Sequence, residues 1–394
     1  MGRVKTARGP TIIALVSVAL VILDTGNCGP ATSVNVLRVG PHQNIKTIGE
    51  AARLAQNGDT IEIDAADYVG DTAVWSASDI KIRGVNGRPR LIAAGRAAEE
   101  KAIWVVRGRD IVIEDIVFTG ARVLHRNGAG IRLESGKLTV RRCLFIDNED
   151  GMLVGNDPST VLEIEDSEFA YNGAGDGQSH NLYVGAIQRL VVTGSYFHHG
   201  KVGHLLKSRA RASLIQYNRL TDESGGRASY ELEFPSGGFA VVVGNLIEQS
   251  EDTENPVVIS FGAEGYSWQQ NELHISHNTI VNDRRQSGVF VSVKGDAENV
   301  NIRDNILVGN GEMIIPPKFQ PGTNWFLEKS DFADAAHLDY RLRASAAVVG
   351  MAKDPGFVAG VFLRPSRDHI HPTSSIPLAL GQPLSPGAFQ GLVE

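Results

Sequence analysis

The sequence predicts an all-β fold, a parallel β-solenoid of about eight or more coils with one helix capping its N-terminal end. Three observations carry this. Short apolar runs recur along the chain, as "IVIEDIVFTG", "LTVRRCLFIDN", "LEIEDSEFAYN", "LVVTGSYFHHG", "LIQYNRLTDE", "VVVGNLIEQS", "LHISHNTIVND" and "VNIRDNILVGN". One position aligns through all eight: Ile116, Cys143, Ser167, Ser195, Asn218, Asn245, Asn278 and Asn305, at spacings of 23 to 33 residues. Each run is preceded by a second strand pattern, from "IWVV" and "GIRLE" to "PVVISF" and "GVFVSV", with no helical periodicity between them. The composition agrees, since 43 glycines and only 7% aromatic residues favour short strands and turns. A unit too small to bury its own apolar face must stack on its neighbours, and regular stacking makes a solenoid. A β-sandwich would not hold this phase. Asn residues in register at a turn also let each side-chain amide satisfy the next.

Residues 1–33 read as a signal peptide. Arg3, Lys5 and Arg8 precede a 13-residue apolar run, Thr11 to Leu23, which is short for a bilayer span. Cleavage after "ATS" at Ser33 predicts a secreted or periplasmic protein with no membrane association; retention of the run as an anchor is the alternative. Cys28 and Cys143 are the only cysteines, and Cys28 lies beside the cleavage region. No disulfide is therefore expected, and Cys143 reads as a small buried hydrophobe. The solenoid and its cap occupy 34–311. Within them "KTIGEAARLAQNGDTIEI" carries Thr47 and Glu50 at capping-box spacing and predicts a helix running toward Gly58 that covers the open end. Residues 312–394 are assigned to the last coils, a C-terminal cap and a tail, with the last thirty or so residues loosely ordered.

The chain is acidic overall, with a formal net charge of -7, which gives no reason to expect nucleic acid. Yet Gly177 to Thr221 contains no Asp or Glu and holds Arg189, Lys201, Lys207, Arg209, Arg211 and Arg219. Strand alternation in "SHNLYVG", "GHLLKSRA" and "SYELEFPSGG" assigns the outward positions. Tyr230, Leu232 and Phe234 take the core face and Glu231 and Glu233 the outer one. Leu206 points in and Leu205 out, which sets Lys207 near Glu233. The basic side chains then emerge on one side of the solenoid, beside Tyr183, His180 and His204. Such a stripe suits an extended polyanion, and an acidic polysaccharide is the expected partner, bound by a monomer. His198 and His199 read as a solvated turn, and "FPSGG" as a tight turn that needs glycine. Arg211, Asn181, Tyr230 and Trp268 are the candidate substrate-binding residues, Trp268 on a sugar-stacking loop or one merely packed down.

The segment "TIGEAARLAQNGDTIEIDAADY" and the coils after it resemble the right-handed parallel β-helix, pectate lyase-like superfamily, over roughly residues 40–350. The Lys207–Ser208 coil looks nearest to alginate lyases and chondroitinase B. That resemblance implies a polysaccharide lyase in which Lys207 removes the proton beside a uronate carboxylate. The branch's calcium-binding acids do not appear before Lys207, where Gly200, Val202 and Gly203 stand, so no cofactor and no metal are expected, with calcium as the alternative. Its following Arg is replaced by the Glu231/Glu233 strand. The chemistry requires a base, an acid for the leaving oxygen and a group that neutralises the carboxylate. Lys207 fits the first, Tyr183, His180 or His204 the second, and Arg209 or Arg211 the third. The alternatives are a glycoside hydrolase using Glu231 and Glu233, a C5-epimerase, and a non-catalytic polysaccharide-binding solenoid.

Overall fold

A computed structural model describes residues 35–253, 255–379, 381 and 383–394. The segment read as a signal peptide, with Cys28, lies outside the described residues. From Val36 the chain winds through about ten coils whose strands build three parallel sheets of 11, 10 and 11 strands. The first sheet runs from Val36–Val39 to Asn299–Arg303, the second from Ala73–Trp75 to Gly311–Ile314, and the third from Asp67–Val69 to Trp325–Leu327.

Inward positions stack like on like. Phe118, Phe145, Phe169 and Phe197 form a column with ring centroids 5.0, 4.6 and 4.7 Å apart, extended edge-on by Trp104 and Trp75. Each such ring, wholly buried, contributes about 1.5–3 kcal/mol through removal from water. At one corner the aligned polar position forms the expected ladder. Cys143 N–H donates to Ser167 Oγ, Ser167 N–H to Ser195 Oγ, and Ser195 N–H to Asn218 Oδ1. Asn218, Asn245, Asn278 and Asn305 then each donate from the backbone and from Nδ2 to the next Asn Oδ1, ending on Asn324. Cys143 is a buried free thiol, as its strand pattern predicts.

The N-terminal helix, Ile48–Leu54, has the expected cap, with Thr47 Oγ1 accepting from Glu50 N–H at 3.2 Å. Ile48 and Ala51 are buried in the solenoid core. It stops four residues before Gly58, because Ala55 turns extended and Asp59 captures the Gln56 N–H. At the other end a hairpin of Phe332–Asp334 and Asp339–Leu342 closes over a second core cluster with Leu246, Val281 and Ile306.

Two expectations fail here. The tail is not loose: it returns along the solenoid as a strap. Leu363 packs on Tyr217, Phe239, Val241 and Val243, and Ala388 N–H bonds to Thr279 Oγ1. Strand alternation also breaks at the corner entering the second sheet, where two successive residues turn inward. Leu205 and Leu206 are both core residues, so Leu205 does not point out. Glu231 occupies the same position one coil later, since His204 pairs with Tyr230 and Leu206 with Leu232. It is 0% exposed, not on the outer face. Tyr230, expected inside, instead tilts against the His204 ring at 4.9 Å.

Candidate active site

The second sheet carries two rows of side chains that point away from the solenoid core. Register pairing strings Arg132, Leu153, Tyr183, Lys207, Glu233 and Ser260 along one row, each one coil from the next. Adjacent strands lie about 4.8 Å apart, so these side chains form one continuous surface. Asp150, His180, His204 and Tyr230 form the second row, tied by backbone and ring contacts. Between the rows and the loop after Phe261 lies an open groove of about 520 Å³, lined by Arg132, Asp150, His180, Tyr183, Lys207, Arg209 and Glu264.

Lys207 sits at its centre with a side chain only 12% exposed. Its Nζ is 3.0 Å from Glu233 Oε2 and 3.3 Å from Glu264 Oε1. Glu233 Oε2 is also 2.7 Å from His204 Nε2, while His204 Nδ1 meets Ser229 Oγ at 3.2 Å. Burial pushes the Glu233 carboxyl up, but the His204 hydrogen bond and the nearby Lys207 charge outweigh it and hold it below its ordinary value. Burial lowers His204, against the pull of Glu233.

Arg209 is the second cation. Its Nη2 donates to Glu264 Oε1 at 2.9 Å and its Nη1 to Glu264 Oε2 at 2.5 Å, a two-pronged pairing. Its Nε donates to the Tyr183 hydroxyl at 3.0 Å and its Nη1 also reaches Ser236 Oγ at 3.2 Å. The Tyr183 oxygen therefore accepts from Arg209, and its own hydrogen remains free to donate. The Glu264 carboxyl, hydrogen-bonded to Arg209, falls to about 2.

His180 has a defined proton. Its Nδ1 accepts from the His204 backbone N–H at 2.9 Å, so in the neutral ring the hydrogen is on Nε2. Burial first, then the charges of His204, Lys207 and Arg209, hold it well below the ordinary histidine value and keep it neutral. His180 can thus donate a hydrogen bond but has no lone pair to act as a base. Below it, burial raises the Asp150 carboxyl to about 8, although Asp150 Oδ1 accepts the His180 N–H at 2.7 Å.

The structure thus brings together Lys207, Arg209, Tyr183, His180, His204 and Glu233, with Tyr230 beside them. It removes four other candidates from the groove. Glu231 is in the core, for the corner geometry given above. Asn181 is 0% exposed and belongs to a second ladder, accepting from Asn172 and donating to the His198 carbonyl. Arg211 turns onto the first sheet, beside Lys137, Glu163, Gln188 and Arg189. Trp268 packs its loop down, its Nε1 donating to the Arg209 carbonyl at 3.1 Å.

Nor does the basic window emerge on one side. Arg189 pairs with Glu163 over the first sheet, Arg219 with Glu223 by the third, and Lys201 with Asp147. The coil is a triangle, and its three sides carry its charges in three directions. His198 and His199 are not a solvated turn either: His198 is buried between Tyr196 and Glu168, and His199 stacks on Tyr171. The "FPSGG" turn does need glycine, because a Cβ at Gly237 (φ 72°) would lie 2.4 Å from the Tyr266 ring.

Sequence reasoning missed Glu264, Arg132 and Asp150. Glu264 lies in an insertion outside the repeat. Arg132 stands at an outward position of "GIRLE" that the same alternation reaches, whereas Asp150 precedes the corner, in the row of Tyr230, where alternation predicts the inside. Arg132 makes no ion pair among the described residues and faces the groove as a free cation. No group of three or more His, Cys, Asp or Glu able to hold a metal ion occurs among the described residues.

No family model and no curated protein matches the chain. Among solved structures, one titled "Crystal structure of pectate lyase Pel9A" superposes with a TM-score of 0.61 at 11% identity, over 91% of this chain and 97% of that one. The chain is a right-handed parallel β-helix of the pectate lyase-like fold. At that identity the likeness is one of backbone. The chemistry of this β-helix has to be argued from the side chains on its own outer face.

Proposed function

We propose that this β-helix is a secreted or periplasmic carbohydrate-active enzyme that cleaves an acidic, uronate-containing polysaccharide by β-elimination, with Lys207 as base. The observation that supports it is one ammonium and one guanidinium, Lys207 and Arg209, set side by side in an open groove with the Tyr183 phenol and the His180 ring. The likeness to a pectate lyase adds a polysaccharide as the substrate class.

The reaction assigns these groups separate tasks. A uronate carboxylate neutralised by Arg209 makes the adjacent C5 proton acidic, because the developing enolate charge falls on the paired oxygens. Lys207, neutral, takes that proton. The ammonium so formed is held by Glu233 Oε2 at 3.0 Å, and the contact with His204 Nε2 keeps that carboxylate charged and in place. The C5–H electrons form the C4–C5 double bond, the C4–O bond breaks, and the leaving oxygen takes a proton. Tyr183 is the donor suited to this step, since Arg209 occupies its oxygen and leaves its hydrogen available. His180 offers Nε2–H as a hydrogen-bond donor in the same wall. The hydrolase alternative loses one of its two carboxylates, because Glu231 is enclosed in the core.

The test is a panel of acidic polysaccharides followed by the ultraviolet absorbance of a C4–C5 unsaturated uronate. Wild type is expected to generate it, and Lys207→Ala to lose about 10²–10⁴ in turnover, the usual span for one proton-transfer group. New reducing ends without absorbance would replace elimination by hydrolysis. Deuterium uptake at C5 without chain cleavage would indicate an epimerase, and binding without turnover a non-catalytic solenoid.

A further inference from the structure

The Arg209 guanidinium is the natural seat for a substrate carboxylate, yet a carboxylate already occupies it. Glu264 takes Arg209 in the planar two-pronged arrangement and places Oε1 within 3.3 Å of Lys207 Nζ. It comes from the loop after Phe261, outside the repeat. That loop is fastened independently of the carboxylate: Glu264 N–H bonds to Pro235 O, Ser267 N–H to Ser236 O, the Tyr266 hydroxyl to Lys294 O, and Trp268 Nε1 to Arg209 O. The Glu264 side chain itself is 47% exposed and makes no other hydrogen bond among the described residues. So the side chain can rotate into solvent without unfolding its loop.

We infer that Glu264 is a built-in stand-in for the ligand carboxylate, filling the Arg209–Lys207 subsite in the free protein and leaving it when a uronate arrives. This rests on the proposed uronate reading and adds two things to it. The subsite takes a carboxylate through both oxygens, because the fork already holds one that way. And Glu264 sets a threshold: a ligand must displace an internal competitor, so isolated small carboxylates are excluded while a polymer anchored elsewhere along the groove is admitted. When Glu264 departs, Lys207 also loses one of its two carboxylate partners, which leaves Glu233 as its remaining ion pair.

The experiment uses the full chain, wild type and Glu264→Gln, which keeps the shape and removes the charge. In the first arm, the Arg209 Nε–H resonance is followed during titration with sodium acetate, with sodium chloride at matched ionic strength as control. Acetate is expected to shift that resonance saturably in Glu264→Gln and not in wild type, with chloride shifting neither. An unmoved resonance in the variant, or equal responses in both proteins, overturns the stand-in. In the second arm, oligogalacturonate and oligomannuronate binding is measured by calorimetry. Glu264→Gln is expected to bind about tenfold more tightly or better, since no competing ion pair has to be broken. Where wild type binds an oligomer, equal or weaker binding by the variant overturns the stand-in as well. Acetate capture by the variant with no uronate oligomer bound by either protein supports the stand-in and overturns the uronate reading, which separates the two. Thermal melts of both proteins confirm that the substitution, at a half-exposed side chain, leaves the fold in place.

Discussion

Glu231 is the residue whose placement departs furthest from its chemistry. It lies wholly buried, in register with Leu205 on one coil and Val258 on another, and neither carboxyl oxygen has a hydrogen-bond partner. Burial first, then the charges of Asp222 and Glu248, hold its carboxyl well above the ordinary value, so the folded protein keeps it neutral. In the unfolded chain it ionises near its ordinary value of about 4.3. The folded state therefore loses stability relative to the unfolded one as pH climbs beyond that value toward the raised folded one. Glu231→Leu continues the apolar stack and removes an unpaired polar group, a change worth roughly 1–3 kcal/mol at pH 7. Urea midpoints should show the variant ahead of wild type, by more at pH 8 than at pH 5. An advantage that stays the same at both pH values would contradict neutral burial.

At the scale of the coil, the Asn ladder does more than decorate a corner. Asn245 accepts from Asn218 N–H and Nδ2, and its own Nδ2 reaches the Ile215 and Val243 carbonyls and Asn278 Oδ1. Ser195 sits on the same ladder but accepts only Ser167 N–H and donates only to the Thr193 carbonyl. Asn245→Ala strands several buried groups at once and is expected to cost roughly 3 kcal/mol or more, against about 1 for Ser195→Ala. Chemical denaturation of the two variants checks the ordering; equal losses would mean that water or backbone adjustment replaces the side-chain links. This ladder was readable because a repeat that survives in sequence must survive in register. The second ladder, Asn148, Asn172 and Asn181, left the same kind of trace in "IDN" and "AYN", but its third member stands in a different sequence context, across the Gly173–Gly177 loop. Simple alternation could not foresee Glu231, because a corner that turns two neighbours inward shifts the count by one. Lys207 lies beyond that corner, where alternation resumes, and its pairing with Glu233 was legible. Glu264 was not, since no repeat fixes where an inserted loop sets its side chains.

For the molecule as a whole, the division of labour follows the three sheets. The second sheet carries the groove, while the C-terminal strap is fastened along the first and third, through Leu363 on Tyr217 and Phe239 and through Ala388 on Thr279. The strap is also where acid should act. His369 donates from Nδ1 to the Tyr217 carbonyl at 3.0 Å, and its Nε2 is buried with no partner. Burial drives this imidazole down to about 4, opposed by the Tyr217 hydrogen bond. Protonating it would bury a charge beside Arg219 and His371, and His371 is itself held low by its own burial and by Arg219. Because the folded value lies below the unfolded one, the unfolded strap gains protons first. Docking is therefore complete above the ordinary histidine value of about 6.5 and weakens as pH falls toward 4. Hydrogen exchange, corrected for intrinsic rates, should show amides of 363–370 opening roughly tenfold more readily at pH 5 than at pH 7.5. Strand Ala129–Leu133, which carries Arg132 into the groove and holds no histidine, should keep its protection over the same range, because none of the strap contacts described above reaches it. His369→Asn should lessen the dependence of the strap, leaving the share that His371 and His277, both also lowered by burial, contribute. Strap protection that does not vary with pH would show that His369 is held by something stronger than the geometry around it, whereas parallel loss in strap and groove would make the solenoid and its strap one cooperative unit.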